Sequence, residues 1–294
     1  MTVNNTKTIG FIGIGVMGKS MATHLLNAGY TTHIYNRTKS KAEDLISSGA
    51  IWHDDVASLA QESDIIITIV GFPNDVEEVY LSDSGILNHA KAGSYVIDMT
   101  TSKPSLAVKI HELAKGKDIQ SLDAPVSGGD IGAKSGELSI MCGGDKSTFD
   151  DLLPVLGLMG KNIVYQGPAG SGQHCKMCNQ IVISGTMMGV CESMKYAKDS
   201  GLDPAVVLDS IENGAAKSWA LSNLAPRMIQ GDFDPGFYIK HFIKDMTIAV
   251  EESDAMGIRV DGLKLAKSLY EEIDSKGEGL LGTQALYKLL DESS

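Results

Sequence analysis

Residues 8–29 read TIGFIGIGVMGKSMATHLLNAG, and this stretch decides the fold. Ile9 to Ile12 is a short apolar run, as a buried strand requires. Gly13-Ile14-Gly15-Val16-Met17-Gly18 follows with the spacing GxGxxG. Met17, Met21, Leu25 and Ala28 then recur at helical intervals, and Gly29 supplies a stop. Strand, glycine turn and helix in this order are the context that a dinucleotide fingerprint needs. Gly13 permits the tight turn, Gly15 lets the backbone approach a pyrophosphate, and Gly18 lets helix and strand pack closely. Val16 and Met17 open a helix whose free N–H groups and positive dipole end face the phosphates. A plain glycine turn between buried elements is the competing reading, and the order of elements disfavours it.

The 294 residues suffice for two domains, and the apolar (43%) and charged (21%) fractions are those of a globular protein. A net charge of −12 argues against nucleic acid or an anionic membrane as partner. It also requires any site for an anionic cofactor to gather positive charge locally. The N-terminus shows no apolar leader and no run has membrane-spanning character, so a cytoplasmic protein is expected. Of the four cysteines, Cys175 and Cys178 have CxxC spacing. A zinc site needs a second pair of ligands at similar spacing, and only His174 is near. The cysteines therefore read as small buried hydrophobes, with no metal site.

Beyond Gly29, residues 31–35 form a second strand that ends at Asn36-Arg37-Thr38. A site that prefers NAD places Asp or Glu here, roughly 20 residues after the glycines, to bind the ribose hydroxyls. No acid is present, and the planar fork of Arg37 suits a 2′-phosphate instead, with a solvated basic turn as the competing reading. NADP is therefore expected over NAD. Helix is expected over 40–48, then strand at 50–52 and helix over 55–61. Residues 64–70 are a β-branched run buried on both faces. A helix over 75–80, a strand over 94–98 and a helix from Lys103-Pro104 to 115 continue the alternation. A strand at 119–123 runs into Ala124-Pro125-Val126-Ser127-Gly128-Gly129-Asp130, whose hydroxyl and exposed amides suit a carboxylate, with a plain turn as the competing reading. Strands at 138–142 and 162–165 flank a helix over 147–159. The alternation predicts an α/β fold: a Rossmann-type, doubly wound, largely parallel sheet over residues 1–165.

From residue 166 onward the pattern is all-helical, so a second domain is expected over 166–294. It is entered by one long interdomain helix over 171–200, roughly 45 Å long. No charge occurs between Lys176 and Glu192, so this helix should be buried between the domains or against a second subunit. Gly185 and Gly189, four apart, fit a close backbone approach. Further helices are expected over 203–213, 219–230, 242–256, 262–276 and 282–290.

Lys176 stands near the start of that uncharged helix. Burying an ammonium is costly unless it is paired or lines a cleft, and such a setting suits acid–base work. A lysine snorkelling at the mouth of an interface is the competing reading. Asn179 and Gln180 lie three and four residues on, so they share the lysine's face and make a polar cluster that wants a ligand. Interdomain hydrogen bonding by these amides is compatible with that role. Lys244-Asp245 opens a later helix, where a solvated face is the ordinary reading and a reach toward cofactor or substrate the functional one.

The segments Gly10 to Gly18, Asp123 to Gly129, Gly170 to Gln180 and Lys244-Asp245 resemble, in order and over nearly the whole chain, the signatures of the β-hydroxyacid dehydrogenase family. That family includes 3-hydroxyisobutyrate dehydrogenase, tartronate semialdehyde reductase and the glyoxylate/succinic semialdehyde reductases. The resemblance implies an oxidoreductase passing a hydride between nicotinamide and a small β-hydroxyacid or semialdehyde in a crevice between the domains. Lys176 would be the catalytic acid/base, with Asn179 beside it. Ser127, Gly128 and Gly129 would hold the substrate carboxylate, and Gln180 would help orient it. Thr101 and Lys244 would join Gly13, Gly15, Val16, Met17, Gly18, Asn36, Arg37 and Thr38 around NADP. Relatives pair through the helical domain as dimers or tetramers. Several carry Asn-Asn where this chain has Asn179-Gln180, which favours the tartronate semialdehyde pattern. The His-Asn of 6-phosphogluconate dehydrogenases is absent. An imine reductase of the same architecture generally lacks this lysine, and a non-catalytic NADP-binding module would not need Ser127, Lys176 and Asn179 together. His174-Cys175 departs from the small residues expected there.

Overall fold

The computed structural model describes residues 7–291. Residues 1–6, which hold most of the segment read above for a leader, and residues 292–294 lie outside the described residues. The packing divides the chain into two units, between Lys176 and Met177 rather than at residue 166.

In the first unit β1 (Ile9–Ile12) passes through the glycine turn into α1 (Val16–Asn27). Next come β2 (Thr32–Tyr35), α2 (Glu43–Ser47), β3 (Ile51–Trp52) and α3 (Val56–Glu62). The second half runs β4 (Ile65–Thr68), α4 (Pro73–Leu81), α5 (Ile86–His89), β5 (Tyr95–Asp98), α6 (Pro104–Lys115) and β6 (Gln120–Asp123). β7 (Val126–Ser127), α7 (Gly129–Ser135), β8 (Leu138–Gly144), α8 (Lys146–Leu156) and β9 (Gly160–Gly167) complete the sheet. Its order is β3-β2-β1-β4-β5-β6-β8-β7, with β9 beside β8. β1 to β6 are mutually parallel, whereas β8 runs antiparallel to β6 and β7. The strand order reverses between β1 and β4, and ligands of open α/β sheets bind beyond the carboxyl ends of the strands at such a point.

Alternation along β1 explains why the sheet is covered twice. Ile9 and Phe11 pack with Met21 and Leu25 of α1, while Ile12 packs with Leu59, Val76 and Tyr80 from the other side. Burying each such side chain contributes ~1.5–3 kcal/mol. Gly13 has φ +103°, and a Cβ there would strike the Ile69 carbonyl oxygen. A Cβ on Gly18 would strike the Gly13 carbonyl, so α1 sits against the turn only because both are glycine.

Three expectations change. The helix over 40–48 is a 3-10 turn, Lys39–Ala42, followed by the short α2. α5 and β7 span four and two residues, too few to show a period. α7 begins on Gly129, where no helix was expected.

α9 (Ser171–Asp199) spans the division as one helix. The second unit continues with α10 (Pro204–Ile211), α11 (Trp219–Asn223), α12 (Ala225–Ile229), α13 (Ile239–Ala255), α14 (Asp261–Ile273) and α15 (Leu286–Asp291). The single helix expected over 219–230 breaks at Leu224, because Pro226 has no N–H to continue the ladder. Met187, Cys191 and Met194 of α9 join Phe242, Met246 and Tyr270 in this unit's core. The rings of Phe242 and Tyr270 meet edge-on at 5.1 Å between centroids. α9 is not buried all round within one chain: Val182 and Tyr196 are exposed, and a Cβ on Gly185 or Gly189 would meet nothing within 4 Å. The close approach expected at those glycines is absent within the chain.

Candidate active site

At the β1–α1 turn the helix N-terminus is left open. Gly15 is the N-cap, no side chain caps the helix, and its first turn holds no acid. A Cβ on Gly15 would meet nothing within 4 Å, so the backbone there can be approached closely. Val16 is exposed, while Met17 packs against the sheet core, so only its backbone serves the turn. The Ile14 N–H donates to Asn36 Oδ1 at 3.0 Å, which ties the glycine turn to the exit of β2. Asn36 Nδ2 donates to the Thr38 carbonyl at 2.9 Å. Arg37 is largely exposed, with Nη1 3.1 Å from Asp75 Oδ1, while Asp75 Oδ2 accepts from the Phe72 N–H at the start of α4.

Two buried carboxyls close the next two strands. Asp98 and Asp123 are register partners at the ends of β5 and β6. Asp98 Oδ1 accepts from Thr68 Oγ1 at 2.9 Å and from the Thr100 N–H at 3.1 Å. Thr100 Oγ1 in turn accepts from the Val70 N–H at 2.9 Å, so the exits of β4 and β5 are laced together. Burial pushes Asp98 up to about 6; the hydrogen bonds from Thr100 and Thr68 oppose this, and Asp123 adds to it.

Asp123 has a different task. Its Oδ1 accepts from the Gly170 N–H and its Oδ2 from the Gln173 N–H, both at 2.8 Å. One carboxylate from the end of β6 thus supplies the N-terminal cap of α9. Burial raises its pKa, against the pull of these backbone N–H groups. The fit is tight: a Cβ on Gly172 would strike Asp123 and the Met141 carbonyl, and one on Gly143 would crowd the same carboxylate. Gln173 is fully buried; its Oε1 accepts from the Ser102 N–H at 2.9 Å and its Nε2 donates to the Thr100 carbonyl at 2.7 Å. One turn on, Lys176 is 6% exposed. Ser127 ends β7, and Gly128 and Gly129 follow with φ +131° and +62°. Thr101 lies in the loop after β5, between the two residues that Gln173 binds.

In the second unit Asn179 Nδ2 donates to Gln180 Oε1 at 2.7 Å, and Gln180 Nε2 donates to Asp245 Oδ2 at 2.6 Å. Asp245 Oδ1 lies 3.0 Å from Lys244 Nζ, an ion pair without hydrogen-bond alignment at that oxygen. Asn179, Gln180 and Lys244, the three expected site residues of this unit, thus fall into one chain of contacts with Asp245 as its buried centre. Asp98, Asp123, Gln173 and Asp245 carry the framework, yet no role fell to them from the sequence. The signal for the first two was available: each is an acid at the end of an expected strand. The cysteine expectation needs correction: Cys142 and Cys191 are buried, Cys175 is intermediate and Cys178 exposed. Among the described residues none of the four forms a disulfide, and burial pushes Cys142 up to about 12. Among the described residues no group of three or more His, Cys, Asp and Glu is placed to hold a metal. No described helix is long and apolar enough to cross a membrane.

An uncapped helix end behind a glycine turn at the switch point fits a dinucleotide pyrophosphate. Fold and turn together define a dinucleotide-binding protein, with a Rossmann-like sheet followed by helices. The family model for the NAD binding domain of 6-phosphogluconate dehydrogenase matches residues 8–167. That for the NAD-binding domain of NADP-dependent 3-hydroxyisobutyrate dehydrogenase matches residues 170–290. Uncharacterized oxidoreductase YkwC of Bacillus subtilis (strain 168) is 62% identical over 96% of this chain and 98% of its own. The 2-hydroxy-3-oxopropionate reductase of Escherichia coli (strain K12) is 35% identical over 96% of this chain and 97% of its own. The structure of Mycobacterium tuberculosis 3-hydroxyisobutyrate dehydrogenase with L-serine is 28% identical, with a TM-score of 0.88 over 97% of this chain and 99% of that one. The chain belongs to the β-hydroxyacid dehydrogenase family. It is an NAD(P)-dependent hydroxyacid dehydrogenase.

Proposed function

We propose that the protein reduces a short aldehyde acid of the tartronate semialdehyde type with NADPH, reversibly, and that Lys176 is its acid/base. The observation that carries this is Lys176 itself: a lysine 6% exposed, one turn into a helix whose start is held by Asp123 and Gln173. The bound nicotinamide supplies or accepts the hydride. Lys176 gives its proton to the carbonyl oxygen in reduction and takes the hydroxyl proton back in oxidation. Asn179 and Gln180, one turn further along α9, orient the substrate, and the Asp245 contact fixes the Gln180 amide. Ser127, Gly128 and Gly129 hold the carboxylate; two consecutive glycines at positive φ leave their amides unshielded by side chains. Gly13, Gly15, Val16, Met17 and Gly18 present backbone to the pyrophosphate, with Thr101 and Lys244 as further cofactor contacts. Arg37, beside Asn36 and Thr38, favours NADP, since β2 ends without an acid and the guanidinium keeps donors beyond its pairing with Asp75. Gln180 and the likeness to a 2-hydroxy-3-oxopropionate reductase support the substrate class.

Lys176→Ala is expected to lower turnover of tartronate semialdehyde by about 10²–10⁴-fold while NADPH affinity, read by nucleotide fluorescence, stays within about twofold. Turnover within tenfold of the parent protein would overturn the assignment.

A further inference from the structure

We propose that Gln173 is a positioning residue that locks Lys176 and the Thr101 loop into one frame, an inference that rests on the acid/base reading of Lys176. Its side-chain amide straddles Thr101. It accepts from the Ser102 N–H on one side and donates to the Thr100 carbonyl on the other, at 2.9 and 2.7 Å. Its backbone N–H is bound by Asp123 at 2.8 Å. Gln173 is therefore joined at once to the exit of β5, the exit of β6 and the first turn of α9. Lys176 follows about 4.5 Å further along the helix axis.

The chemistry of the side chain matters here. The amide carries a carbonyl acceptor and an NH₂ with two donor hydrogens; one bond from each pairs with residues 102 and 100 as a stretch of backbone would. An apolar residue would fill the same space and leave two backbone groups of the loop without these partners, at a cost for each. A fully buried amide that spends both groups on one loop is ordered to a single rotamer, and it passes that order to the helix on which Lys176 stands. The frame is continued below: Asp98 holds the Thr100 N–H, and Thr100 Oγ1 holds the Val70 N–H. A change at Gln173 therefore frees the loop and the lysine's turn together while the strands stay as they are.

The test compares Gln173→Met with the parent chain; Met has similar volume and lacks the amide. Loosening of the frame should lower kcat by about 10–100-fold, the scale of a 1 Å misplacement, with KM for the aldehyde acid changed far less. Hydrogen exchange of the chain without nucleotide should show the amides of residues 100–103 opening at least tenfold faster, with β1 and β4 unchanged. If Gln173→Met does not fold, Gln173→Asn serves, since it keeps the amide and is one methylene too short to span both partners. Equal loosening across the whole unit, or kcat within twofold of the parent, would show that Gln173 only packs. Lys176→Ala run beside it separates the two claims. Turnover kept there overturns the lysine reading, whereas turnover lost there and kept in Gln173→Met overturns the positioning role alone.

Discussion

The N-termini of α1 and α9 carry the same partial positive charge and are finished in opposite ways. α1 begins on Gly15 with no side-chain cap and no acid in its first turn. α9 begins under a carboxylate: Asp123 accepts from both the Gly170 and the Gln173 N–H. Space follows the same division. A Cβ on Gly15 would meet nothing, and one on Gly172 would strike Asp123. A helix end left open is available to an anion from outside, whereas one filled from within is an anchor. On the proposed reading the open end receives the cofactor and the filled end holds the residue proposed as the acid/base. Polar helix ends thus serve binding or rigidity according to whether the chain supplies its own anion.

The comparison can be broken at α9 first. Asp123→Ala leaves two buried N–H groups without their acceptor, each worth ~1–3 kcal/mol. Urea unfolding should show a loss of about 4 kcal/mol, partly offset because a buried carboxyl is removed with it. A loss below about 1 kcal/mol would mean the carboxylate is no anchor.

The neighbouring Asp98 sharpens the point through pH. Its pKa in the folded chain is raised to about 6 by burial, above the ordinary carboxyl value of 3.8. The folded state therefore binds the extra proton between these values, and this contribution to stability is lost as pH rises through the window. Asp98→Asn has no such proton to lose. Its stability relative to the parent should rise by up to about 3 kcal/mol between pH 4 and 7, the equivalent of the shift. A difference that is flat across that range would show that Asp98 ionises as an exposed acid does.

The smallest effect on stability is expected at α1. Gly15→Asp gives that helix an internal carboxylate of the kind α9 has. The N-cap φ is −89°, which any residue adopts, and the site is open, so stability should change by no more than about 0.5 kcal/mol. NADPH affinity should nevertheless fall by at least about a hundredfold, because a fixed negative charge meets the phosphates at close range. Retained affinity in fluorescence titration would remove the open helix end from the cofactor site.

Much of the first unit was legible in the sequence. Gly13 to Gly18 lie where strand, turn and helix were expected, and β1 matches the run 9–12 to the residue. Local patterns reveal such features because a glycine turn and a strand buried on both faces depend on near neighbours. The elements that escaped notice were short. α5 has four residues and β7 two, less than one period of either pattern. α9 was legible in length, and the lack of charge over 177–191 suggested burial between the domains or against a second subunit. One face of it is open in the single chain, with Val182 and Tyr196 exposed.

By itself the sequence determined the strand–glycine–helix unit, the change to helices after residue 166, the absence of an acid at the end of β2 and the lysine near the head of a long helix. These depend on residue type and short-range spacing, which the chain carries in order. Tertiary structure alone decided that Asp123 caps a helix 47 positions away in the sequence, and that Gln173 binds residues 71 and 73 positions back. Those contacts exist because adjacent parallel strands bring their carboxyl ends to one edge of the sheet, and a hydrogen bond across such an edge leaves no period in the sequence.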